Sequence, residues 1–372
     1  MQGFRFAVAA ALTAIVPLGF AVEASAVDRT PSPKVSTVRL EMSRAYQPSA
    51  KVGSTDDYHC TLLDPKIKRD AFVTSSQFIP GSKEVHHAAL FLLTPQLAKE
   101  ARKADVGGRG WTCFGAPSLP GVSPMEVLKQ PMLGEWAPGH GADGLPRGTG
   151  ISLPKGSLVI MQVHYNLLVG KKPVRNKLVL KTVPASTRLQ ALGLNEVIAP
   201  PDLPCPDGVT GPLCDRGASL ADQGDRFGPG AIAIVHGIEM ACGHDPAAPP
   251  EGNSTSCSWP LGKSGFIVRS QAHMHLLGRS FKLVLNPGTP EARTILDVPT
   301  YNFDDQKAYN LKRPVAVKAS DRLEVTCTYD ATLAQKLPLL RKSPPHFVTW
   351  GDGSTDEMCV GLAFISPKRP SA

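Results

Sequence analysis

Proline and glycine are the residues that most constrain the fold of this chain. Its 372 residues include 35 prolines and 34 glycines, nearly a fifth of all positions. Proline lacks a backbone N–H and glycine is entropically costly in a helix, so both interrupt helices and mark turns. They follow no collagen-like period. The chain is therefore predicted to be an all-β protein of many short strands joined by loops, which argues against a helical bundle.

Apolar content and length bound the number of domains. The chain is 42% hydrophobic and 19% charged, so it can bury a core and is not disordered as a whole. Its length suggests two domains. Short apolar runs bounded by turn residues are typical of strands, and they occur on both sides of residue 187. Runs before it include Val38–Met42, Ala71–Val73, Ala88–Leu93, Ser157–Val163 and Lys177–Val183; runs after it include Ala231–Ile238, Gly265–Arg269, Phe281–Leu285, Val315–Val317, Leu323–Tyr329 and Cys359–Ile365.

Three other segments have a different pattern. Gln96–Ala104 is predicted to make one or two helical turns, because it is rich in Leu, Ala, Lys and Glu. Gly107–Gly156 and Pro200–Gly230 are rich in proline and glycine, and we expect both to be long loops. The simplest organisation is two all-β units of similar size that meet near residue 187.

The first 26 residues have the pattern of a Sec-type signal peptide. Arg5 precedes an apolar run from Phe6 to Val22, and the small residues Ala24-Ser25-Ala26 follow. No later stretch reaches the ~20 apolar residues that a membrane helix needs. We therefore expect a mature protein that is secreted or periplasmic and has no membrane span. In such a compartment the eight cysteines predict disulfides, and no CxxC motif occurs.

The net charge of +8 does not by itself identify a partner. Lysine and arginine are scattered along the chain rather than clustered with aromatic residues, which favours solubility over nucleic-acid binding. We therefore expect no nucleic-acid partner. The sequence does not indicate the oligomeric state.

Five of the ten histidines fall into three compact groups. They are His86-His87, His164, and His273 with His275. On a strand, residues i and i+2 share a face, so His273 and His275 can enter one coordination sphere. Adjacent residues point to opposite faces, so His86 and His87 can both be ligands only at a bend or strand end. Each group alone is more often structural.

A methionine near these histidines would decide the metal. Neutral imidazole suits copper, zinc, iron or nickel, whereas a thioether is a soft ligand that selects copper, particularly Cu(I). Met358 is the candidate, and it is next to Cys359, whose disulfide would fix the backbone there.

Taken together, these motifs resemble the copper type II ascorbate-dependent monooxygenases, the family of dopamine beta-monooxygenase and peptidylglycine alpha-hydroxylating monooxygenase. The resemblance covers nearly all of the mature chain. It depends on four signatures in the right order: His86-His87; Gln162-Val163-His164-Tyr165; Ser270-Gln271-Ala272-His273-Met274-His275 followed by Leu276 and Gly278-Arg279; and Asp356-Glu357-Met358-Cys359.

The resemblance implies two jelly-roll-like antiparallel β-sandwich domains in tandem, residues 27–186 and 187–372, with one copper ion each across a solvent-filled cleft. The electron-donating copper would bind in the first domain, and the oxygen-activating copper in the second. The implied ligands are His86, His87 and His164 for the first ion, and His273, His275 and Met358, which are also the implied catalytic residues, for the second.

The implied reaction is hydroxylation of an aliphatic or benzylic C–H bond by O2. Ascorbate or a similar one-electron reductant would return both copper ions to the reduced state. Two family residues that accompany a peptidylglycine substrate, an arginine and a tyrosine, are replaced by Gln271 and Leu362. A carboxylate needs a cation in reach, so an amine-like or unknown small-molecule substrate is favoured over a peptidylglycine.

The resemblance also bears on the cysteines and on one polar residue. It implies the pairs Cys60–Cys113 and Cys327–Cys359. Proximity in sequence suggests Cys205–Cys214 and Cys242–Cys257, although sequence alone does not fix connectivity. Gln162 is two residues before His164 and shares its strand face, so it is either a polar neighbour of the first copper or a structural residue.

Three alternatives stay open at this point. A secreted copper-binding or copper-storage protein would keep the ligands without catalysis. A zinc hydrolase would need a carboxylate base such as Glu84 or Glu357, and Met358 would then have no role. A lectin-like β-sandwich with scattered core histidines would have no metal at all.

Overall fold

The computed structural model describes Met1 and residues 34–371, apart from 51–54, 114–116, 118, 124–125, 128–129 and 140. The predicted signal peptide, residues 1–26, therefore lies outside the described residues except for Met1. Lys34–Ala372 forms one compact unit. Within the described residues, none of the helices is long and apolar enough to span a membrane.

The described residues of the N-terminal half form eleven strands. They are β1 (Ser36–Glu41), β2 (Asp56–Leu63), β3 (Ala71–Ile79), β4 (Val85–Leu93), β5 (Trp111–Thr112), β6 (Met132–Trp136), β7 (Asp143–Gly144), β8 (Thr149–Leu153), β9 (Leu158–Asn166), β10 (Lys177–Pro184) and β11 (Gln190–Ala191). One sheet has the order β1-β10-β3-β8-β11, with β7 paired to β3, and the other has the order β5-β2-β9-β4-β6. All pairings are antiparallel except β11 with β8.

In the part of the C-terminal half that the structure describes there are ten strands. They are β12 (Gly193–Ile198), β13 (Asp202–Leu203), β14 (Ser254–Pro260), β15 (Gly265–His273), β16 (Gly278–Leu285), β17 (Arg293–Val298), β18 (Ala308–Val317), β19 (Arg322–Tyr329), β20 (Val348–Thr349) and β21 (Val360–Ser366). The two larger sheets have the orders β12-β21-β15-β18 and β14-β19-β16-β17, and β13 pairs with β20.

Each half buries its core between two sheets. In the N-terminal half, Phe78 and Leu180 of one sheet pack with Leu90 and Met161 of the other. In the C-terminal half, side chains of β15 and β21 pack with those of β16 and β19 in the same way. The mainly β fold with antiparallel sheets is therefore confirmed, and the jelly-roll topology stays a prediction.

The change from one half to the other occurs near residue 192. Strands up to β11 pair only within the N-terminal sheets, and strands from β12 onward pair only within the C-terminal sheets, among the residues that the structure describes. The division into domains 27–186 and 187–372 stays a prediction.

Helices account for the clearest errors of the sequence analysis. The expected helical turns form α1 (Ala98–Ala104). However, the Pro200–Gly230 loop and the Ala231–Ile238 strand are wrong, because α2 (Arg216–Phe227) and α3 (Pro229–Ala241) occupy these positions. Asp215 caps α2 by accepting from the Ala218 N–H, and Pro229 begins α3, a position where its missing N–H costs nothing. A short apolar run does not distinguish a strand from a buried helix.

The Gly107–Gly156 segment is also more ordered than expected. It contributes β6 to the same sheet as β4 and β9, and it also contains β5, β7 and β8, with loops between these strands in its described part. The last helix, α4 (Leu333–Lys336), is a single turn, and three short 3-10 turns occur at Pro95–Leu97, Val106–Gly108 and Leu340–Lys342.

All four predicted disulfides are confirmed. Cys60 pairs with Cys113, Cys205 with Cys214, Cys242 with Cys257, and Cys327 with Cys359. No cysteine is left as a free thiol.

Candidate metal centre

A β-bulge brings His86 and His87 to the same place. In the pairing of β4 with β9, Val85 lies opposite Tyr165 and His87 lies opposite His164, so that His86 is an extra residue in the strand. Two residues against one is the definition of a bulge, and it breaks the strict alternation of faces. Two adjacent residues of a strand can both be ligands only at a bend or a strand end, and the bulge provides such a bend.

The three histidines of the N-terminal half meet through their ring nitrogens. His87 Nε2 lies 2.8 Å from His164 Nδ1, and His86 Nδ1 lies 3.3 Å from the same atom. One nitrogen from each ring lies within 4.8 Å of the other two. Converging imidazole nitrogens are the arrangement that binds a transition metal. The structure therefore brings together the three residues that the sequence predicted as one set.

Asp56 fixes the orientation of His164. The His164 Nε2 atom lies 2.7 Å from Asp56 Oδ1, which leaves Nδ1 facing the other two imidazoles. Burial alone would raise the pKa of the Asp56 carboxyl, but hydrogen bonds from His164 and Ser354 and the charge of His164 hold it below its ordinary value. Tyr58 stacks on the other side of the ring, at 4.2 Å between centroids. An ionised carboxylate on the outer nitrogen is the usual support of a metal-binding histidine.

His273 and His275 meet at the end of β15. His273 is the last residue of the strand and His275 lies beyond it, with ring centroids 5.4 Å apart. His273 Nδ1 bonds to Gln306 Oε1 at 2.7 Å, and His275 Nδ1 bonds to the Asp356 carbonyl at 3.0 Å. Both contacts leave Nε2 as the remaining nitrogen. The Nε2 atom of His275 is buried and has no hydrogen-bond partner in the described part of the chain.

The two histidine groups are in ring contact with each other. The His87 centroid lies 5.9 Å from those of both His273 and His275. Phe303 stacks on His86 at 5.0 Å and meets His275 edge-on at 6.4 Å. The resemblance implied a solvent-filled cleft between the groups, and the structure corrects this expectation: the five imidazoles form one cluster, closed on one side by Phe303.

Met358 lies in the segment that runs alongside His275. Its side chain is buried, and its backbone is held by Glu357 and by Tyr329, whose hydroxyl donates to the Met358 carbonyl at 3.1 Å. The neighbouring Asp356 carbonyl accepts from His275. The structure thus brings the backbone of Met358 to the second histidine group, and the assignment of its sulfur as a ligand stays a prediction.

Glu357 holds the backbone around His275 in the second group. Its Oε2 accepts from the His275 N–H at 2.9 Å, and its Oε1 accepts from the Leu277 N–H at 2.6 Å. Burial raises the pKa of the Glu357 carboxyl to about 8, against the opposing effect of these backbone hydrogen bonds. Because both oxygens are engaged, Glu357 is poorly placed to act as the base of a zinc hydrolase.

Burial keeps four of the imidazoles neutral. It lowers the pKa of His86 and His87 well below the ordinary value, and the neighbouring histidines lower it further. The pKa of His273 falls to about 4 and that of His275 to about 3, again chiefly through burial. A neutral imidazole has a lone pair to offer, so these four residues are ready to bind a metal at pH 7.

Sequence reasoning missed the residues that support the histidines. Asp56, Gln306 and Phe303 carry no motif of their own, and they come from distant parts of the chain. The residue that it did propose, Gln162, has its amide 3.7 Å from the sulfur of Cys113. This contact favours the structural role that the sequence left open for Gln162.

Comparison with known proteins confirms the family resemblance. Residues 252–365, about a third of the chain, match the sequence model described as copper type II ascorbate-dependent monooxygenase, C-terminal domain. The matched part of the chain contains His273, His275 and Met358. A stretch of 104 residues is 29% identical to DBH-like monooxygenase protein 2 of Mus musculus. The alignment covers 28% of this chain and only 15% of that relative.

Solved structures are less informative. An allantoicase structure aligns over 87% of this chain and 80% of its own at 10% identity, with a TM-score of 0.20. The allantoicase of Saccharomyces cerevisiae aligns over 85% and 80% at 10% identity, with a TM-score of 0.19. Scores this low carry no argument about fold or activity.

Proposed function

We propose that the protein is an exported copper-dependent monooxygenase that hydroxylates an aliphatic or benzylic C–H bond, using O2 and a one-electron reductant such as ascorbate. The observation that carries the proposal is the convergence of the His86, His87 and His164 nitrogens within 4.8 Å, in a chain whose residues 252–365 match the family's C-terminal domain.

The donor atoms fit copper. Three imidazole nitrogens would hold the first ion, and the second would be held by His273, His275 and Met358. The buried Nε2 of His275 has no partner among the described residues, which a metal ion at that atom would explain. When bound, the copper ions would supply the one-electron steps and the activation of O2. A thioether in the second set favours Cu(I), the state that reacts with O2.

The protein's own residues hold the imidazoles in place. Asp56, Gln306 and the Asp356 carbonyl each accept a hydrogen bond from one ring, which fixes its orientation and leaves its other nitrogen for the metal. Phe303 covers the cluster and would exclude water from it.

The environment of the second group bears on the substrate. Gln271 is buried and its amide donates to the Gln306 carbonyl at 3.2 Å, so no cation stands at this position to bind a carboxylate. Leu362 is buried as well. Both features support an amine-like or other small-molecule substrate over a peptidylglycine.

The four disulfides support export, because such bonds form and persist in oxidising compartments. A non-catalytic copper-storage protein is the second candidate, and the observation that favours it is the burial of one histidine in each group: His164 and His275 are at most 1% exposed. Turnover of any C–H substrate with ascorbate would separate the two functions.

The first test is the copper content and electron paramagnetic resonance spectrum of the purified protein and of Met358→Ile. We expect two type II copper ions per chain, and in the variant a selective loss of Cu(I) from the second site. Met161→Ile is the matched control, because Met161 is buried in the N-terminal core. One copper ion or none in the unaltered protein, or zinc in its place, would overturn the two-copper proposal.

A further inference from the structure

Hydrogen bonds from Ser354 to Asp56 join the supports of the two histidine groups, and the longer of them comes from the Ser354 N–H at 3.4 Å. Ser354 lies 298 residues after Asp56 in the chain, and its hydroxyl donates to Asp56 Oδ1 at 2.6 Å. The same carboxylate oxygen accepts from His164 Nε2. The Asn166 amide donates to the Ser354 hydroxyl oxygen at 3.0 Å, so this serine is fully engaged, and it is only 1% exposed.

Ser354 lies in a tightly folded segment, residues 351–358. The Gly353 N–H donates to Asp356 Oδ2 at 3.0 Å, and the Gly351 N–H donates to the Glu357 carbonyl at 3.0 Å. A Cβ atom at Gly353 would come within 2.6 Å of the Asp356 carboxylate, so only glycine permits this approach. These hydrogen bonds tie the two ends of the segment to each other.

The far end of the same segment supports the second group. The Asp356 carbonyl accepts from His275 Nδ1, the Glu357 carboxylate accepts from the His275 N–H, and Met358 follows. Only one residue, Thr355, therefore lies between Ser354, which contacts Asp56, and Asp356, which contacts His275. A displacement of Ser354 would be transmitted to the second group through two peptide units.

We propose that Ser354 is a positioning residue that couples metal binding at the two histidine groups. A metal ion on His164 Nδ1 makes its Nε2–H a stronger donor, which holds Asp56 and Ser354 in place and with them segment 351–358. The second group is then preorganised for its own ion. This inference rests on the proposed function, since it requires metal at both groups. Linkage makes the effect reciprocal, and coupling of this kind is typically about 5–150-fold in affinity.

A merely structural hydrogen bond would lower stability when removed but would leave the two affinities independent. The coupling proposal differs because it predicts a dependence of one site on the other. This difference can be measured as a double-mutant cycle.

The experiment measures the Cu(I) affinity of the His273 and His275 site by competition with a chromophoric chelator. It compares the full protein with His164→Ala, each with and without Ser354→Ala. We expect His164→Ala to weaken the second site about tenfold when Ser354 is present and by a clearly smaller factor in Ser354→Ala, which removes the hydroxyl but keeps the longer N–H contact to Asp56. Ser157→Ala is the matched control, because Ser157 is equally buried and lies in the N-terminal half away from both groups; it should keep the tenfold effect.

An equal effect of His164→Ala with and without Ser354 would overturn the coupling and leave the proposed function standing. Absence of Cu(I) binding in the unaltered protein would overturn both. If Ser354→Ala does not fold, Ser354→Thr and Ser354→Val form a second pair of nearly equal volume. Threonine keeps the hydroxyl and should keep the coupling, whereas valine should reduce it, and identical behaviour of the two would contradict the proposal.

Discussion

The two histidine groups are supported by different chemistry although they lie side by side. In the N-terminal group, His164 bonds to a buried carboxylate, Asp56. In the C-terminal group, His273 bonds to the neutral Gln306 amide and His275 to a backbone carbonyl. A carboxylate that accepts a hydrogen bond from an imidazole makes the other ring nitrogen a stronger electron-pair donor to a metal ion. A neutral partner does not have this effect.

This difference agrees with the two roles that the family resemblance implies. Electron-rich imidazoles stabilise Cu(II), so the first group suits an ion that gives up an electron. Neutral partners and the thioether proposed for this site would favour Cu(I), so the second group would suit the ion proposed to meet O2. The comparison teaches that the hydrogen-bond partners of the ligands, as well as the ligands themselves, would set the redox preference of each site.

The largest expected effect on copper content comes from removing His164, whose Nδ1 atom lies next to both other imidazoles of the first group. In His164→Ala we expect copper content to fall from two ions per chain to one, because His86 and His87 both face the lost Nδ1. Elemental analysis after dialysis checks this. His59→Ala is the control, since His59 is buried against Tyr46 outside both groups, and it should keep both ions. Loss of both ions from His164→Ala would show that the groups form a single site.

Exchanging the hydrogen-bond partners of the histidines should reverse the difference in Cu(II) affinity between the two groups. Asp56→Asn should weaken Cu(II) at the first group by about 10–100-fold, and Gln306→Glu should strengthen Cu(II) at the second group by placing a carboxylate behind His273. Competition titrations measure both changes. Gln162→Leu is the control, because its amide contacts a disulfide sulfur and no histidine. Unchanged affinities in both variants would mean that the partners do not set the preference.

Acid should destabilise the metal-free protein. The pKa values of His273 and His275 lie near 4 and 3, below the ordinary 6.5 of the unfolded chain. The unfolded state therefore binds more protons below pH 6.5, and the free energy of unfolding falls as the pH is lowered toward 4, by up to about 1.4 kcal/mol per pH unit for each such histidine. Urea unfolding between pH 4 and 7 measures this slope.

The same measurement can identify the contribution of the second group to the pH dependence of stability. His275→Asn removes one of these titrations, so its slope should be shallower than that of the unaltered protein. Glu357 acts in the opposite sense: its pKa of about 8 means that the folded state holds the extra proton, so stability falls as the pH rises toward 8. A slope in acid that is unchanged by His275→Asn would contradict the assignment.

The smallest effect should come from Phe303. Its ring stacks on His86 and meets His275 only by its edge. Phe303→Leu should therefore lower the copper affinity of the first group more than that of the second, and by less than about tenfold. Phe78→Leu, in the N-terminal core beside Trp136, is the control and should change stability without changing either affinity. A larger effect at the second group would reverse the comparison.

Sequence alone predicted most of the strands and all three histidine groups. The strands were accessible because alternation and turn residues are local signals, as in Lys177–Val183, which lies within β10. The helices α2 and α3 were not predicted, because a short, continuous apolar run such as Ala231–Ile238 shows neither the 3.6-residue period of a helix nor the two-residue alternation of a strand.

The supports of the site were not predictable for another reason. Asp56, Gln306 and Ser354 are ordinary polar residues, and what makes them important is a contact made across 33 to 298 residues of chain. No local pattern records such a contact. The disulfides were predictable, because a family resemblance and short separations left few sensible pairings.

The bulge in β4 has a consequence for how such a site arises and disappears. A strand tolerates the loss of one residue by closing its ladder, so deletion of His86 would return β4 to regular pairing at little cost to the sheet. The same deletion would leave a single imidazole facing His164. One codon therefore separates a chain with three converging ligands from one with two, and a lineage could lose the first metal site while its fold persisted.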